Sequence, residues 1–175
     1  MPGGNRDMGY WGYFVVGRGE RPLAELDALA EAGDGLTRRG SAPGGWQLWE
    51  YPSGDGDVGN MNVLARETGA PALFGYVMNS ACVVLEAAGP ESGAWTTCLG
   101  RAAMAGYLGA DREGLTLEDY FLEPGDAAER AVRWAAEAGH EVNADALLDV
   151  LTSDPDPLAE NLLFRFLDRL GVVPL

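Results

Sequence analysis

Five side chains are placed where they could do chemistry: Trp49, Glu50, Glu86, Trp95 and Arg101. Glu50 in "LWEY" and Glu86 in "VLEA" each sit near the end of an otherwise apolar run. A carboxylate there either emerges at an exposed strand end or points into a cavity. Two carboxylates sharing a cavity could divide acid and base roles, as in glycoside hydrolysis. Trp49 and Trp95 offer flat surfaces with a polar handle, the kind enriched at binding sites. Arg101 adds a cation. If these five meet, they form a carboxylate and tryptophan pocket between a sheet and its covering helices.

Other reactive residues are sparse. The one histidine, His140, follows "AAEAG" just past a helix end, where an imidazolium is modestly favoured by the helix dipole. As a general base it needs a nucleophile, and Ser80, Ser92 and Cys82 lack the G-x-S-x-G setting. Cys82 and Cys98 are not in C-x-x-C spacing, and pooled with His140 they still leave a tetrahedral metal site incomplete. Two cysteines in 175 residues read as free thiols acting as small core hydrophobes. "DGDVGN" starts like a calcium loop at Asp55 and Asp57. Gly59 then occupies the third ligand position, and Arg66 stands where a bidentate Glu is needed. All twelve basic residues are arginine, so lysine Schiff-base chemistry and a P-loop lysine are excluded. No metal or cofactor is implied.

The net charge of -15 repels phosphate backbones and anionic membrane surfaces, so neither nucleic acid nor membrane is an expected partner. It attracts basic proteins, and it also keeps a chain soluble. A hydrophobic content of 47% in 175 residues supports one packed domain, residues 1–175. No signal-like leader and no run of about 18 apolar residues is seen, so a cytoplasmic location is expected.

The elements that would position these residues change character near Gly100. Residues 8–99 are β-rich and 100–175 helical. "MGYWGYFVVGR" is apolar without alternation, with Tyr10, Phe14 and Val16 on one side and Trp11, Tyr13 and Val15 on the other. A strand covered on both faces reads this way. "RPLAELDALAEAGDG" reads as a helix with Leu23, Leu26 and Leu29 on one face, and "LTRRGSAPGG" as a loop. Trp46–Tyr51 is a strand with Trp46 and Trp49 on opposite faces, one core and one open. "NMNVLARETG" is a short helix. Ala72–Met78, Ala81–Ala87 and Ala94–Leu99 form a meander, the first two joined by a tight turn at Asn79-Ser80. Thr116 and Asp119 have capping-box spacing, Asn143 caps a helix, and Asp156 with Pro157 opens the last one. In that helix Leu158, Leu162, Leu163, Phe166, Leu167 and Leu170 form a stripe, while Phe164 lies off it.

The expected fold is α+β: about five strands, largely antiparallel or mixed, with a three-strand meander, short helices and a C-terminal helical cluster. The expected function is a non-catalytic binding protein, an acidic inhibitor like the immunity-type proteins of bacteria, holding a basic partner protein. The alternative is a small-molecule binder or hydrolase using the five-residue pocket. The off-stripe Phe164 and the apolar end "GVVPL" leave monomer and homodimer both open.

Overall fold

A computed structural model describes residues 9–52, 58–108, 117–155 and 158–172. The loop carboxylates Asp55 and Asp57, the caps Thr116 and Asp156 with Pro157, and residues 173–175 lie outside the described residues. Six strands form one antiparallel sheet: β1 (Gly12–Arg18), β2 (Thr37–Ala42), β3 (Trp46–Tyr51), β4 (Ala72–Met78), β5 (Cys82–Gly89) and β6 (Gly93–Leu99). Their order is β2-β3-β1-β4-β5-β6. Among the described residues five helices cover it: α1 (Met61–Thr68), α2 (Arg101–Leu108), α3 (Pro124–Glu137), α4 (Ala144–Thr152) and α5 (Ala159–Leu170). No helix among the described residues is long and apolar enough to cross a membrane.

The non-alternating run "GYFVV" is explained by its place. β1 lies between β3 and β4, with Val15 opposite both Trp49 and Phe74. Phe14 and Val16 join Trp46, Leu73, Leu85, Trp134 and Phe166 in the core beneath α3, α4 and α5. Val15 joins Trp49, Phe74, Leu29 and Leu64 on the other face, beneath α1. Both tryptophans of β3 are thus core residues, 1% and 8% exposed, and neither opens a groove. The half-buried Tyr13 stacks on Tyr76 at 4.4 Å and on Tyr51 at 6.1 Å, so the aromatic ends of these strands close on one another.

Three local expectations change. "RPLAELDALAEAGDG" forms three short 3-10 turns, at Leu23–Glu25, Asp27–Leu29 and Gly33–Gly35, rather than one α-helix. Its apolar residues recur every third position (Leu23, Leu26, Leu29, Ala32), which matches three residues per turn better than 3.6. Other elements take its donors. The Leu23 N–H donates to the buried Gln47 side chain, and the Asp27 and Ala28 N–H groups donate to Glu67. "TRRGSA" is the edge strand β2, a sixth strand; it is mostly exposed, so it carries no apolar alternation to betray it. "LED" at 117–119, placed by the capping-box spacing at a helix start, is a 3-10 turn, and the helix after it begins at Pro124.

The turn at Asn79-Ser80 is left-handed at both residues (φ 52° and 53°) and closes with the Ala81 N–H donating to the Met78 carbonyl. Gly75 lets α5 approach the sheet: a Cβ there would lie 2.6 Å from Leu163 Cδ1. Phe164 packs edge-on against Phe14 of its own chain at 4.9 Å, so the residue that pointed outward to a dimer is spent internally. Leu158 departs from its stripe and is 43% exposed.

Cys82 and Cys98 are fully buried with Met104 and Phe121. Burial pushes both thiols up to about 11. At pH 8 they are therefore neutral and shielded from reagents, since the thiolate is the reactive form. An aromatic disulfide reagent should titrate no thiol in the native protein within minutes and two in concentrated urea. Rapid native reaction of either would contradict this packing.

Candidate functional site: an acidic cleft at the edge of the sheet

β6 ends the sheet, and an edge strand leaves backbone groups seeking partners. Here they are met from two sides. Arg130 on α3 donates from Nη2 to the carbonyls of Ser92 and Ala94, at 3.3 and 2.9 Å. The Leu122 N–H donates to the Thr96 carbonyl at 3.0 Å. The Leu122 carbonyl in turn accepts from the Thr97 hydroxyl at 3.0 Å and from Arg101 Nη1 at 3.3 Å. Glu137, at the other end of α3, accepts from the N–H groups of Glu91 and Ser92 and from the Ser92 hydroxyl. Burial alone would push the Glu137 carboxyl up. These three hydrogen bonds outweigh it and hold the group below its ordinary value. α3 is thus clamped along the β5–β6 hairpin.

Between α3, β6 and the segment 117–123 lies an open cleft of about 480 Å³. Its floor is Trp95 and Phe121, 4% and 9% exposed. Its rim carries Glu118, Glu123, Asp126, Arg130 and Tyr120, whose ring is 48% exposed. Arg101 stands behind the rim and pairs with Glu118 at 3.1 Å. The rim is therefore acidic, with an aromatic base. The Trp95 indole N–H and the Arg130 Nε–H are buried with no acceptor among the described residues. Two other buried indoles differ. Trp49 donates to Gln47 at 2.8 Å, and Trp134 donates to the Ala72 and Ala88 carbonyls at 3.1 and 3.2 Å.

Of the five residues singled out by sequence, one lines this cleft, Trp95, and a second, Arg101, stands behind its rim on Glu118. The other three stand elsewhere. Glu50 is opposite Phe14, so it lies on the α3–α5 face; Glu86 is opposite Phe74, so it lies on the α1 face. Two strands separate them, which is roughly 14 Å at about 4.8 Å per strand. The expected carboxylate pair does not form. Glu50 instead accepts from the Tyr10 hydroxyl and pairs with Arg39 at 2.6 Å. Burial, then the bond to Glu50 and its charge, holds the Tyr10 phenol far above its ordinary value. Glu86 borders a separate recess of about 140 Å³ beside Asn60, and Trp49 is core.

The remaining candidates have structural partners. Ser80 accepts from the Tyr10 N–H at 2.8 Å and donates to Glu160 at 3.0 Å, while Ser92 donates to Glu137. His140 packs beside Trp46, ring to ring at 6.3 Å. Among the described residues no three His, Cys, Asp or Glu side chains group as a metal would require.

Sequence reasoning missed Glu118, Tyr120, Glu123, Asp126 and Arg130. A signal was present: acids at 118, 119, 123 and 126 surround Tyr120 and Phe121. Read as a helix, those charges scatter around an axis. As a turn followed by extended chain, Glu118 and Glu123 border one opening with Asp126. Comparison of the chain with protein-family models, curated proteins and solved structures gave no match.

Proposed function

We propose that this protein is a non-catalytic binding protein that holds a basic partner protein, an acidic inhibitor of the immunity type, with the cleft beside β6 as its contact site. The observation that carries this reading is the set of Glu118, Glu123 and Asp126 around an aromatic floor. The net charge of -15 adds a long-range field that steers basic partners toward it. Tyr, Trp and Arg are the side chains that most often dominate protein interfaces, and Tyr120, Trp95 and Arg130 all line the opening. The small-molecule reading has less support. The interface between sheet and C-terminal helices is filled by Trp134, Leu162, Leu163 and Phe166, each at most 1% exposed.

The test is affinity capture from host lysate in parallel on the wild-type protein and on the rim variant Glu118→Gln/Glu123→Gln/Asp126→Asn. A basic protein held by the first, released by salt and absent from the second supports the proposal. Equal capture by both, or capture of nothing, overturns it.

A further inference from the structure

We infer that the cleft reads an arginine side chain together with a neighbouring peptide carbonyl, presented by an extended segment of the basic partner. This rests on the binding reading above and names what the site recognises. Two features of the cleft make opposite demands. Glu118, Glu123 and Asp126 call for a cation. The Trp95 indole is a donor only, 4% exposed and without an acceptor among the described residues, so it calls for an oxygen. The Arg130 Nε–H, also without an acceptor among the described residues, calls for the same. A carboxylate or phosphate would supply the oxygen but would face the carboxylates of Glu123 and Asp126, which have no ion-pair partner among the described residues, Glu118 being paired with Arg101. A neutral carbonyl supplies it without that repulsion. A peptide bearing a basic side chain carries both groups at once.

Arginine suits the rim better than lysine. The acids stand at 118, 123 and 126 along the rim, on a turn and a helix start. A planar guanidinium can bond neighbouring carboxylates through its fork while its face lies on an aromatic ring. Tyr120 presents such a ring at the opening, 48% exposed. Strand addition to the edge is ruled out as the mode of recognition. The carbonyls of Ser92, Ala94 and Thr96 are already taken by Arg130 and Leu122. One side chain and one carbonyl remain to be read.

The experiment uses the full chain, ¹⁵N-labelled, titrated with acetyl-Gly-Gly-Arg-Gly-Gly-amide, with the corresponding lysine peptide, and with methylguanidinium. The arginine peptide should move the Trp95 indole proton downfield in a saturable way, and the Trp134 indole should stay in place. Methylguanidinium, which has no carbonyl, should shift backbone amides at 118–126 and leave the Trp95 indole unmoved. Glu118→Gln/Asp126→Asn should weaken the arginine peptide by about tenfold, as two lost ion pairs of ordinary strength predict. If rim amides shift with the arginine peptide while the Trp95 indole does not move, or if the lysine peptide binds equally well, this inference is overturned and the binding reading stands. If no probe shifts any resonance, both are overturned.

Discussion

Replacing Trp134 with alanine should lower the free energy of unfolding by about 3–5 kcal/mol, the usual cost of emptying a large buried aromatic site. Trp134 is fully buried and lies 5.9 Å from the Trp46 ring. Its indole N–H bridges the Ala72 carbonyl on β4 and the Ala88 carbonyl on β5, so it ties α3 to the middle of the sheet. Alanine removes the ring, the bridge and the packing of α3 together. Phenylalanine keeps most of the ring and loses only the bridge, which should cost about 1–2 kcal/mol. Urea denaturation of the three proteins measures both steps. For a chain of this length the alanine variant should melt roughly 6–20 °C lower. A loss below about 1 kcal/mol for Trp134→Ala would mean that α3 is held elsewhere. α3 also carries Asp126 and Arg130, so the same variant should loosen the cleft.

The second large effect concerns binding. Neutralising Glu118, Glu123 and Asp126 together should weaken capture of a fluorescein-labelled nona-arginine probe by about 3- to 150-fold. Three largely exposed pairs at about 0.2–1 kcal/mol each, summed with their mutual field, give that range. The loss should be greatest at low ionic strength and shrink in about 0.5 M salt, where screening already suppresses exposed charge pairs. Arg101→Ala removes a cation and frees the Glu118 carboxylate, so it should act in the opposite direction and less strongly. Arg101 faces no ligand in this account; it holds Glu118 and the Leu122 carbonyl in place.

The sheet was legible where burial writes a pattern. The doubly covered β1, the meander with its Asn79-Ser80 turn, and the helices capped by Asn60 and Asn143 all carry local signals that the tertiary structure reinforces. The edge strand β2 was not legible, because exposure on an edge removes the apolar alternation that marks a strand. The segment after Pro22 carries leucines three apart, which fit either helix type. The choice of 3-10 turns was made by Gln47 and Glu67, which are distant in sequence.

The candidate site was legible only in part, for a similar reason. Trp95 and Arg101 were visible as unusual residues on or beside a strand. Their companions at 118–130 come from a turn and a helix start, and what brings them to β6 is a set of backbone and arginine bonds to its open edge. Glu50 and Glu86 looked alike in sequence because each ends an apolar run. They part company because the two runs place their carboxylates on opposite faces, an outcome fixed by register rather than by composition.

The central claim is that the cleft beside β6, and not the overall charge, holds the basic partner. The direct measurement compares two charge-matched variants by fluorescence anisotropy with the nona-arginine probe. One is the rim triple. The other is Glu20→Gln/Glu31→Gln/Asp34→Asn, three exposed acids outside the cleft. Each removes three negative charges. The account predicts that the rim triple loses at least about fivefold more affinity than the distant triple, a difference of about 1 kcal/mol. Equal losses would contradict it and would reduce the acidity of this protein to a diffuse field.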